Sequence, residues 1–283
     1  NGILGEQQIE FICKYIDFIQ ISYDGLPELQ NKNRRLVNGR SSSSLVEQTM
    51  MSLSLRGKEF SVRSTVLPCD YIKIYEMVQD VFAKYSYAIK YHIEPIQYTG
   101  RATSIERDTQ GDNDIFIKEY IRTQKMALEK FPKKKFYCTL FSYKITNISC
   151  SSITGESPVI NNCGKIFPCS DRLDFKTHGI GEIHDEKIRI NTVSFYEKLY
   201  CELLKTECGR CRYFSLCGGG CYSLFKRDST GELLPEGRVM CSLLKDYWNI
   251  VFSKLCSEHE FLELCLLFEK EKEGWDIYKI KSM

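Results

Sequence analysis

The chain has 283 residues, with 39 Lys+Arg against 37 Asp+Glu, 43% hydrophobic and 27% charged residues, and a net charge of +2. At roughly 100–200 residues per domain, that length predicts two domains or one large one. The apolar content excludes a wholly disordered chain, and the near-neutral balance argues against strong attraction to nucleic acid or anionic lipid. Apolar stretches such as residues 261–268 are too short to cross a bilayer. No charged segment with an apolar run follows Asn1, so no secretory signal is read.

The first half alternates helix and strand patterns. Ile9, Ile12 and Ile16 recur at helical spacing, and residues 18–23 read as a strand ending at Asp24-Gly25. Val46, Met50 and Leu53 mark one helix face. Residues 60–67 follow as a strand, with Phe60, Val62 and Val66 on one side and Arg63 and Thr65 on the other. Residues 71–85 predict a helix that buries Ile74, Met77, Val78 and Phe82. Residues 88–96 predict a strand and 114–131 a helix. Repeated strand–helix order predicts parallel βαβ units, as in a doubly wound sheet or part of a barrel. Three such strands are visible. The run from Pro132 to Lys135 reads as a basic, solvated joint, and beyond residue 137 the alternation stops. Residues 158–169 predict a hairpin around Asn161-Asn162-Cys163-Gly164. The last forty residues return to helix, with Leu262, Leu266 and Trp275 as packing positions.

Eleven of the 14 cysteines lie between Cys138 and Cys256. Cys208, Cys211, Cys217 and Cys221 form C-x2-C-x5-C-x3-C, with Gly218-Gly219-Gly220 inside the last gap. Cys150 and Cys169 stand upstream and Cys241 downstream, which makes seven cysteines in one ordered pattern. Paired cysteines two residues apart can turn both sulfurs to one centre, and glycines let backbone N–H groups approach them. An iron–sulfur cluster needs both. Disulfides require an oxidising compartment that nothing here suggests. Structural zinc, the second reading, typically uses two C-x2-C pairs, and one occurs here. The histidines His92, His178, His184 and His259 show no paired spacing and read as surface or core residues.

The seven-cysteine pattern resembles the SPASM domain, the C-terminal extension of many radical S-adenosylmethionine (SAM) enzymes. The resemblance implies two auxiliary 4Fe-4S clusters, one held by Cys150, Cys169 and Cys221, the other by Cys208, Cys211, Cys217 and Cys241. The fourth ligand of the first cluster stays open between Cys138, Cys163 and an open iron. Ile21-Ser22-Tyr23-Asp24-Gly25 is similar to the strand-end motif of the radical SAM barrel, whose serine contacts the amino-acid part of SAM. Arg34, twelve positions later, stands where an arginine completes that contact. A hydroxyl and a guanidinium are good donors to a carboxylate, and the end of a barrel strand is where such sites form. Read alone, Ser22 and Asp24 would be turn residues. The segments Arg63-Ser64-Thr65-Val66 and Glu94-Pro95-Ile96 are similar to the later barrel strands.

The resemblance therefore implies an α/β chain: a partial (β/α) radical SAM barrel over 1–135, an α+β SPASM domain over 136–255 and a helical tail over 256–283. The C-x3-C-x2-C loop that holds the SAM-binding cluster occurs nowhere in the sequence. The chain opens at Asn1-Gly2, as if inside a Thr-Asn-Gly segment that follows that loop. The expectation is a chain lacking its first two strand–helix units, roughly 60–100 residues, and unable by itself to cleave SAM. The implied activity is modification of a peptide or protein substrate, such as thioether or other crosslink formation. The implied reductant is a flavodoxin or ferredoxin, and the implied compartment the reducing cytoplasm. The alternatives are sulfatase maturation to formylglycine and a non-catalytic iron–sulfur protein. Sulfatase-maturating enzymes carry an aspartate directly after the cysteine equivalent to Cys169, and this chain has Ser170 there.

Overall fold

The computed structural model describes residues 2–96, 112–141, 158–170, 179–184, 187–190, 204–220, 226–227, 233–234 and 239–255. The chain divides into two units, Asn1–Ser142 and Tyr143–Met283.

In the first unit the elements run α1 (Glu6–Tyr15), β1 (Gln20–Ser22), α2 (Pro27–Asn33), α3 (Ser43–Leu55) and β2 (Phe60–Val66). A 3-10 turn at Pro68–Lys73 leads into α4 (Ile74–Lys84), followed by β3 (Ala88–Pro95), α5 (Asp112–Lys130) and β4 (Lys135–Tyr137). The four strands form one sheet in the order β1-β2-β3-β4, with every pair parallel. This is the α/β order that the alternating pattern predicts, with one strand more. Residues 132–135 are not wholly a solvated joint. Lys135 opens β4, and the half-buried Lys134 donates to the carbonyls of Phe82 and Tyr85 at 2.7 Å each. Those carbonyls end α4, where a helix has no internal donors left to offer them.

Alternation at period 2 gives the sheet two unlike faces. Ile21, Val62, Tyr91, Ile93 and Phe136 are buried on one face, where α4 packs on β3 and α5 on β4. Val46, Met50 and Leu53 of α3 are wholly buried as well, each contributing about 1.5–3 kcal/mol. Phe116 and Tyr120 of α5 close this layer against Phe136 and Phe141, with ring centroids 5.0–5.7 Å apart. The opposite face is polar. The register sets Ser22 beside Arg63, Arg63 beside His92, and His92 beside Tyr137, one row across all four strands. Parallel sheets usually bury both faces in apolar contact, so a polar second face marks a surface that receives something else.

The second unit contains an antiparallel sheet, β5 (Val159–Ile160), β6 (Lys165–Phe167), β7 (Gly181–His184) and β8 (Lys187–Ile190), in that order. The expected hairpin is there. Gly164 N–H donates to the Asn161 carbonyl at 3.0 Å, and the Asn161 side chain accepts from Cys163 and Lys165 N–H. A 3-10 turn at Glu207–Arg210, a short helix at Phe214–Cys217 and a two-stranded pair, β9 (Lys226–Arg227) with β10 (Leu233–Leu234), precede a long helix at Val239–Leu255. The expected packing positions Leu262, Leu266 and Trp275 lie outside the described residues. Among the described residues no helix is long and apolar enough to cross a membrane.

Candidate functional site

A cleft of about 780 Å³ opens where β1, β2 and β3 end, bounded by Asp24, Arg34, Thr65, Leu67 and Ile96 among others. Four hydrogen bonds close a ring on its wall. Asp24 N–H donates to Gln30 Oε1 (3.0 Å), Gln30 Nε2 to Ser42 Oγ (3.0 Å) and Ser42 Oγ–H to the Arg34 carbonyl (2.5 Å); Arg34 Nε returns to Asp24 Oδ1 (3.0 Å). Asn33 Nδ2 adds a contact to Asp24 Oδ2 at 3.3 Å. Burial raises the Asp24 carboxyl above its usual range, opposed by the Arg34 guanidinium. The ring holds Arg34 by Nε, so its Nη groups, which bond to no other described residue, remain for a ligand's carboxylate.

Arg34 lines the cleft and Ser22 does not; the partner of Arg34 is Asp24, and the cation in register with Ser22 is Arg63. Asp24, read alone as a turn residue, is the buried anchor of the site. The sequence signal for it was its position at a strand end ten residues before an arginine.

His92 is likewise more than a core residue. Its Nε2 lies 2.7 Å from Glu94 Oε1 and 2.7 Å from Thr139 Oγ1, and its ring stacks on Tyr137 at 4.6 Å. Burial alone would raise Glu94, yet the hydrogen bonds from His92 and Thr139 outweigh it and hold the carboxyl below its usual range. Cys138, one residue beyond β4, is buried with its thiol 3.7 Å from Glu94 Oε2; burial first, then the Glu94 charge, pushes it well above the usual thiol range.

In the second unit, Cys208 is buried and Cys211, Cys217 and Cys241 are partly so. Thr206 accepts from Cys208 N–H at 3.2 Å and fixes the turn that offers Cys208 and Cys211. Asn249 of the long helix bonds Tyr213 Oη–H and Arg212 Nη2, which ties the Cys211–Cys217 segment to the helix that carries Cys241. Gly218, Gly219 and Gly220 have φ of +51°, +83° and +74°, a left-handed run that only glycine adopts readily. The run turns the Gly219 N–H onto the Cys217 sulfur. Burial raises the Cys217 thiol, and the charges of Cys208, Cys211 and Cys241 add to it, so the four sulfurs feel one another. Among the described residues no three His, Cys, Asp or Glu side chains converge on a single metal ion. Cys169 is partly exposed after β6, Cys163 is exposed in the hairpin turn, and Cys150 and Cys221 lie outside the described residues.

The first unit thus holds a parallel α/β sheet with a cleft at its strand ends, and the second unit is rich in cysteine. The chain is similar to cysteine-type anaerobic sulfatase-maturating enzymes from two strains of Clostridium perfringens, at 21% and 20% identity over 90% of this chain and 71% of each relative. Its structure is similar to that of native anSMEcpe with bound AdoMet, at TM-score 0.68 and 18% identity over 90% of this chain and 71% of that one. Streptococcus suis SuiB bound to S-adenosylmethionine is more distant, at TM-score 0.55 and 13% identity over 79% and 54%. anSMEcpe has also been solved with AdoMet and the Kp18Cys peptide, and that structure matches at TM-score 0.63 and 17% identity over 90% of this chain and 73% of that one. No protein-family model matches the chain.

Proposed function

We propose that the chain is a radical SAM maturase of the sulfatase-maturating kind, oxidising a Cys or Ser side chain of a protein to formylglycine. The observation that carries this is the similarity to cysteine-type maturating enzymes along nine tenths of the chain. In this reading residues 1–135 form the barrel part, 136–255 the SPASM domain and 256–283 a tail. Arg34, oriented by Asp24, takes the carboxylate of SAM, with Ser22 nearby on the polar face. Cys208, Cys211, Cys217 and Cys241 hold one 4Fe-4S cluster, and Cys150, Cys169 and Cys221 hold a second, completed by Cys138 or Cys163 or left open. Bound SAM, reduced through a further cluster, supplies the radical that removes a substrate hydrogen. The 283 residues contain no C-x3-C-x2-C spacing, so alone they leave SAM intact. A flavodoxin or ferredoxin supplies the electron in a reducing cytoplasm.

One residue favours a second reading. Ser170 follows Cys169 where a carboxylate is expected of formylglycine formation, which suits a crosslinking maturase such as a thioether-forming one. Mass spectrometry separates the two. The enzyme, expressed from the complete reading frame and reconstituted anaerobically, is incubated with SAM, a reductant and a Cys-containing peptide. Formylglycine formation removes the cysteine sulfur, whereas a thioether retains it and loses two hydrogens. An unmodified peptide overturns both.

A further inference from the structure

We propose that His92 is a general base on the polar face of the sheet, its Nδ1 accepting the proton of a substrate thiol or hydroxyl, with Glu94 as its positioning residue. The inference rests on the maturase reading for its substrate class and on geometry for everything else. His92 and Glu94 are two apart on β3, so their side chains share a face. An ionised carboxylate only accepts hydrogen bonds. The 2.7 Å contact with Glu94 Oε1 therefore assigns the ring hydrogen to Nε2, with Thr139 Oγ1 at the same distance. Thr139 N–H donates to the same Glu94 oxygen at 2.9 Å and fixes the carboxylate in turn.

Nδ1 is then the lone-pair nitrogen. Among the described residues no group bonds it, and the His92 side chain is 11% exposed. The ring cannot swing away, because it lies flat on Tyr137 with planes 4° apart. The groups facing it are Glu94 on its own strand, Arg63 in register on β2, and Tyr137 of β4 with Cys138 just after it. Arg63 opposes a positive imidazole, and Glu94 favours it through direct contact. A carboxylate backing an imidazole in this way stabilises the imidazolium formed when a proton arrives.

In the proposed step the substrate S–H or O–H bond breaks, the Nδ1–H bond forms, and the new positive charge is paired with Glu94. No electron moves in it, since oxidation belongs to the SAM and cluster chemistry.

The test has two arms. Nitrogen-15 NMR of the imidazole in this chain should find Nε2 protonated and Nδ1 bare above the ring's titration, with Glu94→Gln redistributing the tautomers. A ring protonated at Nδ1 overturns the proposal. In the reconstituted enzyme from the complete reading frame, His92→Gln should lower peptide product about 100-fold or more while SAM cleavage continues. Glu94→Gln should shift the acid limb of kcat to lower pH, which a merely structural role would not move. Unchanged product formation in His92→Gln sinks the base with the maturase reading intact. A wild-type enzyme that modifies no peptide overturns that reading and this inference with it.

Discussion

Asp24 is 2% exposed at the end of β1, a place where an unpaired carboxylate would neutralise itself. It stays useful because Arg34, Asn33 and the Gln30–Ser42 relay surround it. Lys134 presents the opposite case. Burial lowers its amine from 10.5 to about 8 while it caps the end of α4. Between those values the unfolded chain holds a proton that the folded chain has released, so stability rises with pH there. Denaturant titrations from about pH 8 to pH 10 should show this rise in the wild type, and Lys134→Met should flatten it. A parallel slope in the variant would mean that Lys134 is solvated like any surface lysine.

At the scale of elements, the link between β1 and α2 depends on how closely α4 approaches. Gly25 has φ of +81°, and a Cβ there would stand 2.5 Å from Met77 Cβ and 2.6 Å from Tyr91 Oη. Backbone strain and overpacking would act together, so Gly25→Ala should destabilise the fold by about 2–5 kcal/mol, measured by chemical denaturation. A change below about 0.5 kcal/mol would mean that the turn relaxes freely. The same strand periodicity that buries Ile21 and Val62 sends Ser22 and Arg63 to the polar face. One pattern thus makes both a core and a site.

For the molecule as a whole, the two units divide the chemistry, with a polar cleft in one and a group of cysteines in the other. Anaerobically reconstituted chain should contain about eight irons with matching acid-labile sulfide. A Cys208→Ser, Cys211→Ser double variant should retain about half. Zinc without sulfide would overturn the cluster reading, and SAM should be recovered intact in every case.

The sequence alone determined the βαβ order, the buried stripe of α3, the hairpin at Asn161–Gly164 and the seven-cysteine pattern. All of these are local, set by periodicity, turn residues or spacing within a short span of chain. It left β4 unread, because three residues that begin with the last of three lysines carry no alternation long enough to detect. Which side chains meet was decided only by tertiary structure. Asp24 finds Arg34, and His92 finds Glu94 and Thr139, through strand register and through β4 docking beside β3. Those contacts join residues up to 47 positions apart. A lone histidine becomes a candidate base only when the sheet places a carboxylate behind it and a hydroxyl beside it.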